Sequence, residues 1–341
     1  MRPIHFVMQG TKRNSMQHEG SLAFGTPTAP SSELRNTDPG HFPDCPSPLV
    51  TVIVVTYDSA RHLPDLIHSL RAQTLRDFEV LQIDSRSTDR SSAIFASHWP
   101  GLRSVLATEN LGYRRGNQLG MEMARGKYVV VLNDDVELHP CLLEQLVRRA
   151  ESDEHIAVVA PAILIHGSAD RLNAAGSDLL PSGFYAARGK NEPYQHFREM
   201  RDIAAASGCC FLLRRSFLAN WGGFDSLFDS LPSGWHASAE DLDLCWKAWV
   251  SGYRVVYEPT ALLWHKYTQK PLNESRLASL TAGRVAFVLM NFAPATLWRF
   301  APVMLLTELA LVAWGILRGP AYLRTWVLAW RWAWRNRHRL R

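Results

Sequence analysis

Apolar residues in the first half of the chain form short continuous runs that alternate with amphipathic stretches. The runs are rich in β-branched residues, which is typical of strands covered on both faces, and lie at 50–56, 79–83, 103–107, 127–132 and 156–160. The stretches between them place apolar residues at helical spacing, as Leu63, Leu66, Ile67 and Leu70 do, and predict helices over 63–70, 91–98, 112–125 and 141–150. Strands that alternate with helices predict an α/β fold with a Rossmann-like, mostly parallel central sheet flanked by helices.

The second half is less regular. Strands are predicted at 208–213 and 253–257, with a helical turn at 216–220. The segment Ser238-Ala-Glu-Asp241 is a capping-box pattern, in which Asp241 would be the third helical residue. It predicts a helix with one apolar face, formed by Leu242, Cys245, Trp246 and Trp249.

The C-terminal segment is more apolar than the rest. Phe300–Leu317 is just long enough to span a bilayer, but Glu308 near its middle makes insertion costly. An arginine-rich tail follows, and a single span would place it outside the cell. We therefore predict a monotopic helical segment on anionic lipid, with four tryptophans at headgroup depth: Trp326, Trp330, Trp332 and Trp334. A hairpin returning through 321–334 and an ordinary apolar helical subdomain are the alternatives.

Composition sets the domain organisation and the compartment. The chain has 341 residues and a net charge of +5, and residues 1–46 are rich in Ser, Thr, Pro and Gly. We predict a disordered extension over 1–46, an α/β domain over 47–270 and a membrane-associated segment over 271–341. Five cysteines, an odd number, together with no recognisable secretory signal indicate a reducing cytoplasmic setting, with Cys209-Cys210 in the core.

Carboxylates follow the predicted strands at three places. Asp84 ends the second strand, Asn133-Asp134-Asp135 follow the fourth, and Glu240-Asp241 open a helix. Adjacent carboxylates at the end of a buried strand repel each other and resist desolvation, a cost that bound Mn²⁺ or Mg²⁺ would remove. Ligands of open α/β sheets bind at this edge. A solvated turn is the alternative for 133–135.

These positions, with the motifs around them, resemble the inverting GT-A glycosyltransferases of family 2, nearest the bacterial rhamnosyltransferase-like branch. The resemblance covers roughly 49–268 and rests on motifs in the family's order: Val54-Val-Thr-Tyr-Asp58, Ile83-Asp-Ser-Arg-Ser-Thr-Asp89, Asn110-Leu-Gly-Tyr-Arg-Arg-Gly-Asn117, Leu132-Asn-Asp-Asp135, and Gly222-Gly-Phe-Asp225 followed by Glu240-Asp-Leu-Asp-Leu-Cys245. It implies a GT-A fold and a metal-dependent transferase that uses a nucleotide-sugar donor.

The resemblance also implies roles for individual residues. Asp241 would be the general base, with Glu240 as the substitute, while Asp135 and His265 would bind Mn²⁺ or Mg²⁺. The donor nucleotide sugar would contact Thr56, Tyr57, Asp58, Asp84, Gly112, Arg115, Asn117 and Asp134. Other roles remain open from the residues alone, since Asp84 and Asp241 suit helix caps and His265 suits simple packing.

Several features depart from the family's pattern. Arg114-Arg115 stand where small residues are common and either contact the diphosphate or are solvated, while Asp58 stands where Asn is usual. The loop before Asp241 is longer than is typical of the family, which makes Trp235 and His236 candidates for acceptor contact. As residues of a surface loop with no contact to substrate they fit equally well.

The predicted function is inverting sugar transfer to a hydroxyl of a lipid-linked or other glycan acceptor in cell-surface polysaccharide or glycolipid synthesis. The enzyme would lie on the cytoplasmic face of the inner membrane and contact it through 285–341. A non-catalytic GT-A scaffold is the alternative. The Trp-rich approach to the basic tail favours membrane over nucleic acid as its partner.

Overall fold

The computed structural model describes residues 47–230, 239–266 and 274–340. The strands, in chain order, are β1 Val50–Thr56, β2 Phe78–Asp84, β3 Arg103–Leu106, β4 Tyr128–Leu132, β5 Val136–Leu138, β6 Ile156–Ile165, β7 Leu172–Ala174, β8 Ser177–Leu179, β9 Tyr185–Ala187, β10 Arg201–Asp202, β11 Cys210–Arg214 and β12 Arg254–His265. The helices are α1 Leu63–Arg71, α2 Ser91–His98, α3 Gly112–Met123, α4 Leu142–Glu151, α5 Arg215–Trp221, α6 Glu240–Val250, α7 Glu274–Asn291, α8 Pro294–Arg318 and α9 Pro320–Arg335.

The main sheet has the order β10-β12-β6-β11-β4-β1-β2-β3. Strands β3, β2, β1, β4, β6 and β12 run in one direction, while β11 lies antiparallel between β4 and β6 and β10 is antiparallel to β12. The short strands β5 and β7 pair with β12 and β6, and β8 and β9 form a separate hairpin. The predicted mostly parallel α/β sheet is confirmed, with antiparallel strands added to it.

The sheet separates two apolar layers. One face of the sheet packs on α1, α2 and α4 through residues such as Leu66, Phe95 and Leu146. The other face packs on α3, α5 and α6 and continues into the C-terminal helices α7 and α9, which contribute Phe287 and Trp332. Residues from the predicted C-terminal segment thus belong to one apolar cluster with the sheet.

Two predictions about local structure need correction. Strand β12 continues to His265, well beyond the predicted end at 257, and β5 was not predicted. In the C-terminal helices, Trp332 is buried and its indole N–H donates to the Ser230 carbonyl at 2.7 Å, while Trp334 is exposed. The four tryptophans therefore do not share one exposed surface, as the prediction required, because α9 packs against α7 and buries one side of the helix.

Candidate active site

Asp84 is the last residue of β2 and lies beside the end of β1. Thr56 and Asp84 are paired in register at the ends of the parallel strands β1 and β2. The Thr56 hydroxyl donates to Asp84 Oδ2 at 3.1 Å, and the Ser87 backbone N–H donates to Asp84 Oδ1 at 2.8 Å. The helix-cap alternative for Asp84 is wrong, since α2 begins only at Ser91. Its carboxylate is instead held at the edge of the sheet.

Asp58 supports the turn that follows β2. It has a φ of 49°, and its Oδ1 accepts hydrogen bonds from the Thr88 backbone N–H at 2.7 Å and the Thr88 hydroxyl at 3.1 Å. Neither Asp58 nor Ser59 caps α1, because the helix begins at Leu63 and no side chain caps it. The Ser59 hydroxyl instead donates to Asp134. Tyr57, the residue before Asp58, is half exposed and faces solvent at the same edge of the sheet.

The Asn133-Asp134-Asp135 turn follows β4. The Asn133 backbone N–H donates to the Cys209 carbonyl at 2.9 Å, which fixes the turn to the residue preceding β11. Burial and the neighbouring Asp135 charge together raise the pKa of Asp134, against the hydrogen bond from Ser59. Burial also opposes the charge of Asp135, but the adjacent His265 outweighs it and lowers the pKa of Asp135. Asp135 is therefore the more readily ionised of the two.

His265 is brought to Asp135 by the unpredicted strand pair. His265 lies opposite Val136 in the antiparallel pairing of β12 with β5. Its Nε2 is 3.2 Å from Asp135 Oδ1, and its Nδ1 is 3.3 Å from Asn173 Oδ1 on β7. Without a cation, an Nε2–H of His265 can donate to Asp135. With a cation in place, Nδ1 would keep the proton and donate it to Asn173, which would leave the Nε2 lone pair for the metal.

This pair fits a divalent cation that takes its remaining ligands from elsewhere. Within 47–230, 239–266 and 274–340, no three His, Cys, Asp or Glu side chains form a group that holds a metal alone. Adjacent ligands of an octahedral ion at 2.0–2.1 Å lie about 3 Å apart, close to the 3.2 Å between His265 Nε2 and Asp135 Oδ1. The carboxylate and imidazole suit Mn²⁺ and Mg²⁺ to different degrees, imidazole favouring the softer Mn²⁺.

Glu240 and Asp241 open α6 in a buried environment that raises the pKa of both carboxyl groups. Glu240 is buried, and burial raises its pKa although the Ala239 backbone N–H donates to it at 3.0 Å. Burial and the Glu240 charge raise the pKa of Asp241 well above its ordinary value. Asp241 is the second helical residue and no side chain caps α6, so the predicted third-residue cap position is wrong; Ser238 lies outside the described residues.

Tyr113 and Gly208 complete the surroundings of Asp241, and sequence reasoning missed both. The Tyr113 hydroxyl is 3.2 Å from Asp241 Oδ1 and 2.9 Å from the Gly208 carbonyl, so one proton has two acceptors. Gly208 permits the approach, because a Cβ there would lie 2.5 Å from the Tyr113 hydroxyl and 2.6 Å from Asp241 Oδ2. The glycine-rich segment at 110–117 contained the signal for Tyr113, although its partner is far away in sequence.

The remaining donor-site candidates lie in the first turns of α3. Gly112 begins the helix with a φ of 64°, and its N–H donates to Asn110 Oδ1 at 2.8 Å. Asn117 is buried, and its Nδ2 donates to the Tyr113 carbonyl at 2.9 Å, which supports the turn that carries Tyr113. Arg115 is exposed and paired with Glu109. These three residues thus lie together at the start of the helix.

Arg114 has a different environment from its neighbour. It is buried, and its guanidinium makes a two-point contact with Asp229 just before the segment 231–238. A solvated position for Arg114 is therefore wrong. The acceptor candidates Trp235 and His236 lie outside the described residues.

Asp243 ties α6 to the C-terminal helices. It is fully buried, accepts a hydrogen bond from Asn291 Nδ2 of α7 at 2.8 Å, and lies 3.0 Å from Lys247 Nζ. It lies in the acidic first turn of α6, together with Glu240 and Asp241. The contact anchors α7 to the helix that carries Asp241.

Carboxylates at the carboxyl edge of a mostly parallel sheet, with a buried acid opening a helix beside them, define a GT-A glycosyltransferase. The family profile "Glycosyl transferase family 2" matches residues 51–222. The chain belongs to this family and is a glycosyltransferase, as its motifs predicted.

Similar proteins support the same class. N-acetylglucosaminyl-diphospho-decaprenol L-rhamnosyltransferase of Mycobacterium tuberculosis is 29% identical over 244 residues, covering 64% of this chain and 76% of that protein. The predicted likeness to the rhamnosyltransferase-like branch is confirmed. Two solved structures share the fold. The mannosyltransferase PcManGT of Pyrobaculum calidifontis, in complex with GDP-Man and Mn²⁺, has a TM-score of 0.53 and 19% identity, over 84% of this chain and 75% of that one. GalNAc-T7 with UDP, GalNAc and Mn²⁺ has a TM-score of 0.57 and 18% identity over 72% of this chain, which spans only 48% of that structure.

Proposed function

We propose that this chain transfers a sugar, with inversion, from a nucleotide-sugar donor to a hydroxyl of a lipid-linked glycan acceptor in the synthesis of a cell-surface polysaccharide or glycolipid. Asp241 is the general base in this proposal, and Asp135 with His265 holds Mn²⁺ or Mg²⁺. The similar mycobacterial protein, whose name describes rhamnosyl transfer to a polyprenyl-diphosphate-linked sugar, supports this acceptor class.

The observation that carries the proposal is the convergence of two carboxylate groups on the segment before β11. The Cys209 carbonyl accepts from Asn133, and Gly208 lies directly against Asp241. After burial and Cys210, the charges of Asp135 and Asp241 both contribute to the raised pKa of the Cys209 thiol. A base and a cation-binding carboxylate that both lie near Gly208 and Cys209 suit a displacement at a carbon between acceptor and diphosphate.

The chemistry follows from these positions. The Asp241 carboxylate accepts the proton of the acceptor hydroxyl while its oxygen forms a bond to the anomeric carbon. The bond from that carbon to the phosphate oxygen breaks, and the nucleoside diphosphate leaves with the electron pair. Attack from the face opposite the leaving group inverts the configuration, and the raised pKa of Asp241 makes it a stronger base.

Donor binding involves the other side of the site. Asp135 and His265 would hold a divalent cation, which when bound would supply positive charge to stabilise the leaving diphosphate. The two solved neighbours with nucleotide ligands and Mn²⁺ support a divalent ion here. Asp84 and the backbone at Thr56 and Tyr57 bind the base of the nucleotide, and the start of α3, from Gly112 to Asn117, lies toward the diphosphate.

The location follows from the substrates. Nucleotide sugars are cytoplasmic, so we place the enzyme at the cytoplasmic face of the inner membrane. Helix α8 is long and apolar enough by length and composition to cross a membrane, which alone is weak support. The proposal keeps the predicted division of the chain into an extension over 1–46, a catalytic domain over 47–270 and a membrane-associated segment over 271–341.

The test is donor turnover. The purified full chain is incubated with UDP-, dTDP- and GDP-sugars, Mn²⁺ and a polyprenyl-diphosphate-linked acceptor, and released nucleoside diphosphate is measured. Asp241→Asn should lower the rate of release by a factor of about 10²–10⁴. Asp178→Asn, which changes an exposed carboxylate on β8, should leave the rate unchanged. Absence of release with every donor, or full activity of Asp241→Asn, would contradict the proposal.

A further inference from the structure

The outer face of α8 is apolar and exposed. Six large side chains on it are between 57% and 85% exposed, and we call them the α8 face: Trp298, Leu305, Leu306, Leu309, Ile316 and Leu317. The helix has 25 residues, which at 1.5 Å per residue gives a length of about 37 Å. Soluble monomers rarely expose continuous apolar surface of this extent, so the α8 face needs a partner.

The single acidic residue of this region is turned away from the α8 face. Between 294 and 340 the only carboxylate is Glu308, in the middle of α8. It is ion-paired with the buried Arg284 of α7. Its Oε2 accepts hydrogen bonds from the indole N–H groups of Trp326 at 2.6 Å and Trp330 at 3.0 Å. The charge that makes insertion of α8 costly in the sequence is thus paired inside the protein.

The charges left on the surface have one sign. Seven arginines lie between 294 and 340 and all are exposed: Arg299, Arg318, Arg324, Arg331, Arg335, Arg337 and Arg339. Two of them, Arg299 and Arg318, lie near the two ends of α8. A second copy of the chain would meet this surface with like charge, whereas anionic lipid headgroups complement it.

We propose that the α8 face docks onto an anionic lipid bilayer, with α8 lying in the plane of the membrane instead of crossing it. Trp326 and Trp330 reach Glu308, so this part of α9 lies level with the middle of α8. Arg324 and Arg331, close to these tryptophans in sequence, are exposed. A helix α8 that stood across the bilayer would bring both arginines to the depth of the hydrocarbon core, which is costly.

This placement puts the acceptor side of the site next to the membrane and rests on the proposed function for that consequence. Helix α7 is fixed to α6 by the Asn291–Asp243 hydrogen bond and by the edge contact of Phe287 with Trp246, whose ring centroids are 5.6 Å apart. The base Asp241 lies in the first turn of the same α6. A lipid-anchored acceptor in the bilayer would therefore approach the base from the docked side.

Vesicle flotation tests the docking surface itself. The full chain is floated with vesicles of phosphatidylethanolamine and phosphatidylglycerol and, separately, of phosphatidylcholine alone. Leu305→Gln/Leu309→Gln should lower binding about tenfold or more, because two exposed leucines no longer enter the apolar phase. Val250→Gln, an equally exposed apolar residue at the end of α6, is the matched control and should bind as the unaltered chain does.

The outcomes separate the alternatives. Binding to anionic but not neutral vesicles, release by alkaline carbonate, and loss in the leucine variant support the proposal. Resistance to carbonate extraction would show a spanning helix and overturn the in-plane arrangement. No vesicle binding, with a dimer in light scattering that the leucine variant dissociates, would assign the α8 face to a second copy.

Failure of the proposed function has its own readout. Release of nucleoside diphosphate with a soluble, short-chain acceptor does not need the bilayer, so the leucine variant should keep it. If neither the unaltered chain nor the leucine variant releases nucleoside diphosphate, while the unaltered chain still binds vesicles, the docking surface stands and the proposed reaction is refuted. Absence of vesicle binding by the unaltered chain, with release intact, would refute the docking surface and leave the reaction standing.

Discussion

The Tyr113 hydroxyl offers the sharpest test of how the base is set. Its single proton lies between Asp241 Oδ1 at 3.2 Å and the Gly208 carbonyl at 2.9 Å. Donation to Asp241 stabilises the ionised carboxylate and acts against the raised pKa caused by burial and by Glu240. When Asp241 takes a proton, the phenol can donate to Gly208 instead, so Tyr113 favours the form of the base that reacts.

The variant Tyr113→Phe removes this donor and keeps the ring, which packs against Phe224 at a centroid distance of 5.8 Å. A hydrogen bond to a charged group contributes about 1.5–3 kcal/mol. The 3.2 Å separation places this one at the low end of that range. With 1.36 kcal/mol per pKa unit, the pKa of Asp241 should rise by about one unit in the variant.

The sign of the effect on rate is definite. The proposed reaction needs ionised Asp241, so kcat/KM is expected to fall as the pH drops through the pKa of this residue. A higher pKa in Tyr113→Phe moves the acid limb of the kcat/KM profile about one unit toward higher pH, with little change on the plateau. Tyr253→Phe, a tyrosine at the far end of α6 that packs on Phe217, should leave the limb in place. An unchanged limb in Tyr113→Phe, or one moved to lower pH, would refute the role of the phenol.

Three further predictions follow from the same contacts. Asp241→Asn should lower kcat, measured by turnover, by a factor of about 10²–10⁴. Donor affinity, measured by calorimetric titration, should stay nearly unchanged. An equal loss in kcat and in donor affinity would contradict the role of Asp241 as the base. His265→Ala should remove most of the Mn²⁺-dependent thermal protection that a nucleoside diphosphate gives, and unchanged protection would exclude His265 as a ligand beside Asp135. Arg284→Met should lower the free energy of unfolding, measured in urea, by about 3–5 kcal/mol, because Glu308 keeps its charge without its ion pair. Arg284→Met/Glu308→Gln should recover most of that loss. A small effect of the single change would mean that the pair is not buried in solution.

The parallel half of the sheet could be predicted because each of its strands has a local sequence pattern that indicates a strand without reference to distant residues. Val50–Thr56 and Tyr128–Leu132 are continuous apolar runs that only a doubly covered strand accommodates, and both were found where expected. Their polar ends then fell at one edge by the geometry of parallel strands. The positions of Asp84 and Asp135 follow from this pattern alone.

The link between His265 and Asp135 could not be predicted in the same way. It depends on β5, which has three residues, and on a strand β12 that runs past Pro259. Three residues carry no detectable periodicity, and a proline inside a run argues against a continuing strand. Only the pairing of distant segments makes this strand stable, so the metal pair was available from resemblance and not from pattern.

Glu308 shows how a local cost can mislead. From sequence, a carboxylate in an apolar helix counts as an isolated charge, because Arg284 is 24 residues earlier and Trp326 is 18 residues later. In the folded chain these groups meet at one point and satisfy the carboxylate. The cost that the sequence assigned to Glu308 is therefore largely offset in the fold, and the arginines carry the remaining argument for the in-plane arrangement proposed above.

The base is assembled by contacts of the same long-range kind, and they explain why a glycine precedes two cysteines at the start of β11. This antiparallel strand enters the sheet between β4 and β6, so the residues before it pass the edge where Asp135 and Asp241 lie. A side chain at position 208 would collide with the Tyr113 hydroxyl and the Asp241 carboxylate at once. Gly208→Ala should therefore displace the base and its donor together, which Tyr113→Phe cannot do. A larger fall in kcat for Gly208→Ala than for Tyr113→Phe on the pH plateau is expected, and equal rates there would show that this segment does not position the base.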